Sequence, residues 1–379
     1  MKPAVIKVGL GTTMVEPGLT GGRLDGIGVY TRALMQHLPA TGCKVAPYSW
    51  PRPRQGQAGI SIGQAFPTSF EAASLVELVT PGAHRVHMPL DIFHATDYRV
   101  VRMDCPVVAT LHDALPIKHP EWCNPRLRKL KNWLQVKAAR KADHVIAVSR
   151  FAVAELVECF GIDERRISVV PNGVDEAWLA APDPQAVSGT LAAYGLQPGY
   201  FLFVGTLQPR KNLERVLEAY LALPAPLRAE RGLVVVGAPG ARSDSLAAAL
   251  RAARAAGENV AWLDRLTDDA QLRHLYAGAG VFVFPSLYEG YGIPVLEAFA
   301  SNVPVVTSTV TSLPEVAGEA ALLVDPLSRG AIGDAMRILA TDPVARARCI
   351  GAGRARAEQL TWQNTARLTA EVYRAVLSQ

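Results

Sequence analysis

The residues best placed to do chemistry lie in one stretch, "FPSLYEGYGIPVLEA" at 284–298. It reads as a strand ending at Pro285, a loop carrying Glu289, and a helix that begins near Gly292 and carries Glu297. Gly290 and Gly292 let backbone N–H groups approach a ligand where that helix starts. Unpaired donors and the positive end of the helix dipole make such a start a natural seat for phosphate. Glu289 and Glu297, about two turns apart, would face one ligand from two sides. Taken alone, they also suit a solvated loop acid and a partly buried helix residue. A second stretch, "FVGTLQPRKNLERVLEAY" at 203–220, turns at Gly205 after a strand and sets Arg210 and Lys211 before a helix starting near Asn212. A planar guanidinium fork beside a compact ammonium can grip a diphosphate. In isolation the pair also fits a solvated surface. In "TLHDALP", 110–116, His112 and Asp113 end a strand, a position from which a histidine of an α/β domain touches ligand.

These residues need a scaffold, and the second half supplies its pattern. Short β-branched apolar runs at 200–205, 232–237, 259–263, 280–286, 303–308 and 320–325 alternate with helical periodicity at 212–223, 243–256, 267–277 and 291–301. Continuous apolar strands between helices predict a parallel sheet covered on both faces, a Rossmann-like doubly wound α/β domain. The first half repeats the pattern, with strands at 4–10, 44–50, 91–96, 106–113, 143–149 and 167–173 and helices at 27–38, 126–142 and 150–160. Residues 174–199, rich in Ala, Pro, Asp and Gly, read as a linker. The domains expected are 1–175 and 176–360, facing each other across a cleft at the carboxyl ends of both sheets. An amphipathic helix at 361–379 is expected to pack back on the first domain.

At 379 residues, 49% hydrophobic and 19% charged, the chain suits two globular domains and excludes a coiled coil or a disordered tail. No apolar run approaches the roughly 18 residues a membrane span needs, and the N-terminus reads as a first strand rather than a signal peptide. Five scattered cysteines without a CxxC pair argue against a disulfide framework or a zinc site and suit a reducing cytosol. The net charge of +5 belongs entirely to residues 1–180, with 21 basic and 16 acidic side chains, against 18 of each in the remainder. The surplus concentrates between Lys118 and Lys141: Lys118, Arg126, Arg128, Lys129, Lys131, Lys137, Arg140 and Lys141 with the single acid Glu121. Trp122, Leu127, Leu130, Trp133 and Leu134 are interleaved. Such a helix suits an anionic membrane surface. It also fits a charged helix whose apolar side faces the core. No recognition motif points to nucleic acid.

"GTLQPRKN", "YEGYGIPVLEA" and "VVPNGVD" (169–175), with the seven-residue spacing between Glu289 and Glu297, resemble the retaining GT4-family glycosyltransferases of GT-B fold, and overall the O-antigen and capsule mannosyltransferases. The resemblance implies a nucleotide-sugar donor bound mainly by the second domain. Arg210 and Lys211 would hold the diphosphate with the backbone of Gly292–Ile293, Glu289 the sugar hydroxyls, Glu297 the ribose, and the loop at Arg265–Leu266 the base. In the first domain it points to Gly26 and Gly28 of "RLDGIGVYTRAL" for the diphosphate, to His112 for the donor sugar in the transition state, and to Asp113 and Tyr30 on the acceptor side. It further implies same-face transfer with retention. No D-x-D triplet is present, so transfer without a metal cofactor is expected. The favoured donor is a GDP-sugar of mannose or rhamnose type, and the acceptor a saccharide or polyprenyl-diphosphate-linked glycan in surface polysaccharide synthesis. The expected place is the cytoplasm, peripheral at the inner face of the plasma membrane. A UDP-sugar glucosyl-type transferase and a non-catalytic sugar-nucleotide-binding assembly protein remain as alternatives. A nicotinamide oxidoreductase has only "GLGTTM", without the third glycine, in its favour.

Overall fold

A computed structural model describes residues 5–22, 24–52, 59–80, 86–123, 125, 127–240, 242–266 and 268–379. The chain forms two compact units: residues 1–120, 125–173 and 362–379 make the first, and 121–124 with 174–361 the second.

The first unit is built on β1 (Ile6–Gly11), β2 (Cys43–Ser49), β3 (Gln64–Ala65), β4 (Ile92–Ala95), β5 (Val107–Leu111), β6 (His144–Ala147) and β7 (Ile167–Val169). They pair in parallel in the order β3-β2-β1-β4-β5-β6-β7. Every residue of β4 and β5 is buried, which is why these strands are mostly apolar rather than alternating, with His94 and Thr110 the exceptions. Helices α1 (Gly26–His37), α2 (Arg128–Ala139) and α3 (Arg150–Phe160) cover the sheet with the C-terminal helix Trp362–Leu377. That helix buries Trp362, Ala366, Ala370 and Tyr373 at three- and four-residue spacing and packs on α1. β3 and the helix Phe70–Val79 lie outside the elements read from the sequence. The strand has two residues, too few for any periodicity to show.

The second unit carries β8 (Tyr200–Val204), β9 (Leu233–Val236), β10 (Val260–Leu263), β11 (Ala279–Phe284), β12 (Val305–Ser308) and β13 (Ala321–Val324), parallel in the order β10-β9-β8-β11-β12-β13. Phe201, Phe203, Phe282 and Phe284 are fully buried in its two central strands. Each such side chain contributes roughly 1.5–3 kcal/mol of transfer free energy. The segment expected as a linker is instead structured. Asp183 caps α4 (Pro184–Ala193), which packs on the helix Asp269–Gly278 and buries Leu191. Its alanine-rich sequence favours helix while presenting only a narrow buried stripe, so the apolar pattern is weak.

Strand order reverses between β1 and β4 in one sheet and between β8 and β11 in the other. The loops leaving such neighbours diverge to opposite faces and open a crevice at the carboxyl edge, where open α/β sheets take their ligands. Among the described residues, no helix is long and apolar enough to cross a membrane.

Candidate active site

In the second unit the loops after β8 and β11 carry the predicted charges. Beyond Gly205 a 3-10 turn, Pro209–Lys211, leads to Asn212, which is left-handed at φ 60 and 2% exposed. Asparagine is among the few non-glycine residues that accept this conformation readily. Its amide donates to the Pro285 carbonyl (2.9 Å) and the Pro326 carbonyl (2.7 Å), and Leu287 N donates to the Arg210 carbonyl (2.7 Å). The two loops are thereby locked together. Helix α5 (Leu213–Leu221) follows.

Arg210, Lys211 and Glu289 converge. Lys211 Nζ donates to Glu289 Oε1 at 2.6 Å, and Arg210 Nη1 to Glu289 Oε2 at 3.0 Å. Glu289 and Lys211 are 7% and 8% exposed, and Lys211 Nζ sits 4.8 Å from the centre of the Phe284 ring. Burial pushes the Glu289 carboxyl upward. The charges of Lys211 and Arg210 and the Lys211 hydrogen bond outweigh it and hold the group below its ordinary value. Neither cation is the solvated surface residue that the sequence alone allowed.

The loop continues to α6 (Ile293–Ala300) through Gly292, whose φ of 109 favours glycine. A Cβ there would also lie 2.8 Å from Leu313 Cδ2. Ser312 Oγ donates to the carbonyls of Glu289 (2.9 Å) and Tyr291 (2.8 Å) and fixes the loop. In α6, Glu297 accepts from Tyr276 Oη at 3.0 Å, and burial raises its carboxyl to about 7. Arg265 and Leu266 lie beyond β10, at the sheet edge two strands from β8, with Arg265 exposed.

In the first unit two histidines, His94 and His112, stand near the strand-order reversal. His112 follows β5, is 8% exposed, and donates Nε2–H to the Thr96 carbonyl at 3.0 Å. A carbonyl only accepts, so the proton is on Nε2 and the lone pair on Nδ1. Burial lowers its basicity against the raising effects of Thr96 and Asp113, so the ring is neutral at physiological pH. The Tyr30 ring stands edge-on to it with centroids 5.0 Å apart. Tyr30 Oη meets Thr110 Oγ1 (2.8 Å), which meets His94 Nε2 (2.8 Å), and His94 Nδ1 meets Tyr373 Oη (2.6 Å). His94 is fully buried and driven down to about 3.

One first-unit expectation needs correction. Tyr30 does not face an acceptor: it is fully buried, because its position falls on the core-facing stripe of α1 with Ala33 and Leu34. Gly28 is buried in the first turn of α1. Its N–H donates to Asp25 Oδ1 (2.9 Å), and a Cβ there would lie 2.8 Å from the Met14 carbonyl, so it serves the packing of α1 on the loop after β1. Gly26 opens α1 with open space around it. Asp113 accepts from Leu115 N (2.9 Å) and Tyr98 Oη, which makes it a turn-forming residue.

Sequence reasoning missed Glu16. Its fully buried carboxylate, with a lowered titration point, accepts from the N–H groups of Ser61 (2.8 Å), Ile62 (3.0 Å) and Gly63 (2.7 Å) and from Ser49 Oγ (2.8 Å). It joins the loops after β1 and β2, and a lone glutamate before a proline gives no hint of that. Among the described residues no group of three or more His, Cys, Asp and Glu is placed to hold a metal ion. The five cysteines are free.

Comparison with known proteins supplies a family. The model described as "Glycosyltransferase Family 4" matches residues 24–178, and that described as "Glycosyl transferases group 1" matches residues 194–356. The chain is 32% identical over 287 residues to O-antigen chain mannosyltransferase B of Escherichia coli, covering 75% of this chain and 74% of that protein. It is 30% identical over 305 residues to a glycogen synthase of Mycobacterium tuberculosis, covering 75% and 69%. In fold it matches HepE of Anabaena, solved with UDP-glucose, at a TM-score of 0.75 and 17% identity over 98% of this chain and all of that one (100%). With two parallel α/β units of GT-B type and these relatives, the chain belongs to the GT4-type glycosyltransferases.

Proposed function

We propose that the protein transfers a mannose-type hexose from a GDP-sugar to a saccharide or polyprenyl-diphosphate-linked acceptor in surface polysaccharide synthesis, with retention and without a metal cofactor. The observation that carries this reading is the convergence of Arg210, Lys211 and Glu289 where strand order reverses in the second unit. Breaking the bond between the anomeric carbon and the phosphate oxygen leaves negative charge on the diphosphate and positive charge on the carbon. Arg210, Lys211 and the amino end of α6 would stabilise the first, which is the larger electrostatic task. Glu289 would take hydroxyls of the sugar, Glu297 the ribose, and Arg265–Leu266 the base. His112 is assigned to the donor sugar as a neutral imidazole. With Asp113 engaged in its turn, the departing phosphate takes the acceptor proton during same-face attack.

GDP-mannose is favoured by the similarity to the mannosyltransferase of Escherichia coli. The similarity to a glycogen synthase keeps a UDP-glucose-type donor as the second reading. Donor hydrolysis and thermal shift against GDP-, UDP- and dTDP-sugars separate them. Turnover of GDP-mannose supports the first reading, and turnover of UDP-glucose alone replaces it. Absence of hydrolysis and transfer with every donor would favour a binding protein.

The helix α2 is proposed to lie on an anionic membrane surface on the cytoplasmic side. Leu127, Leu130 and Trp133 are 64%, 51% and 43% exposed and stand among exposed Lys129, Lys131 and Lys137. Each such cation contributes about 1 kcal/mol near anionic lipid. Lys118 and Lys141 are ion-paired with Glu158 and Glu77, and Arg126 lies outside the described residues. Flotation with phosphatidylglycerol vesicles should carry the protein upward at low salt and release it at high salt. Protein that stays at the bottom under both conditions removes this reading.

A further inference from the structure

Glu289 stands where a bound diphosphate would neutralise Arg210 and Lys211. Its two oxygens already accept from both cations, at 3.0 and 2.6 Å. A diphosphate there therefore competes, anion against anion, with a resident carboxylate for the same two cations. Once displaced, a carboxylate this deeply buried is unfavourable unless other donors reach it. Sugar hydroxyls are such donors. Phosphate oxygens only accept, so a nucleoside diphosphate that has lost its sugar offers nothing in return.

The surroundings fit an exchange confined to one side chain. Arg210 keeps Nη1 on the Tyr288 carbonyl (3.0 Å) and Nε on Gln208 Oε1 (3.1 Å), and Lys211 keeps its place over the Phe284 ring. Ser312 holds the backbone on both sides of Gly290, so the carboxylate can turn while the loop stays.

We propose that Glu289 is a specificity-determining counter-ion, which makes the site favour a sugar nucleotide over the bare nucleoside diphosphate and returns to Arg210 and Lys211 when the sugar has gone. Product release is then assisted by the protein's own anion. The inference rests on the donor-site reading above and deepens it.

Titration calorimetry of the full-length protein with GDP, UDP, GDP-mannose and UDP-glucose tests it, comparing wild type with Glu289→Gln. The amide removes the competing charge at nearly constant shape. E289Q should bind the cognate nucleoside diphosphate on the order of tenfold more tightly than wild type, and the sugar nucleotide no more tightly than that diphosphate. Unchanged or weaker diphosphate binding by folded E289Q overturns the proposal. Should E289Q not fold, Glu289→Asp keeps the charge and shortens its reach by one methylene. It should tighten diphosphate binding by a smaller factor, and no tightening overturns the proposal equally. Wild type that binds none of the four ligands removes the donor-site reading itself, and this inference with it.

Discussion

The two units solve the same topological problem with different central contacts. At the strand-order reversal of the second unit lies a buried ionic cluster, two cations on one carboxylate. Beside that of the first lies a chain of neutral hydrogen bonds, from Tyr373 through His94 and Thr110 to Tyr30, with His112 against the Tyr30 ring. Charge is concentrated in the proposed diphosphate seat, and a neutral ring is held at the position proposed for contact with the donor sugar. An ionic cluster acts over several ångströms and tolerates small displacements, whereas a neutral contact depends on where one ring atom lies.

That contrast can be broken by substitution. The largest effect is expected from Glu289→Ala, which should lower kcat/KM on the order of a thousandfold while the fold persists by circular dichroism. His112→Asn should cost about a hundredfold, mainly in kcat. Because burial keeps His112 neutral, the wild-type rate should stay flat on its account from pH 7 to 9 and fall only in acid. Glu297 supplies a pH signature for the second unit alone. Its carboxyl titrates at about 7, above its unfolded value, so the protonated form is the one favoured by folding. Its contribution to stability is present in acid and is lost as pH rises through about 7. Nucleotide affinity should move the other way, strengthening as the carboxylate forms, and Glu297→Gln should flatten that dependence in a binding titration. The smallest effect belongs to Tyr373→Phe. Losing one buried hydroxyl bond should cost about 1–2 kcal/mol in denaturant unfolding and a few-fold in kcat, with nucleotide affinity unchanged.

The same contrast governs what the sequence made legible. The proposed donor-side residues lie in two continuous stretches, each a strand, a glycine turn and a helix start, so the loops that bring Arg210, Lys211 and Glu289 together were legible from local pattern. The parallel sheets were legible too, because strands buried on both faces are predominantly apolar. The first unit's arrangement was not, since His94 meets Tyr373 across 279 residues of chain and Thr110 and Tyr30 join them from other elements. Tyr30 was placed on the acceptor side by resemblance alone, while its place on the buried stripe of α1 decides its surroundings. Asn212 and Glu16 illustrate a further limit. Each organises two loops through side-chain bonds to backbone groups, and no residue pattern announces such a bond.

The central claim is that Arg210 and Lys211 receive the donor diphosphate. A crystal structure of the wild-type protein with bound GDP or UDP tests it without any substitution. The account predicts diphosphate oxygens within about 2.7–3.2 Å of the Arg210 guanidinium and Lys211 Nζ. Diphosphate seated elsewhere, with both cations still paired to Glu289, would contradict it.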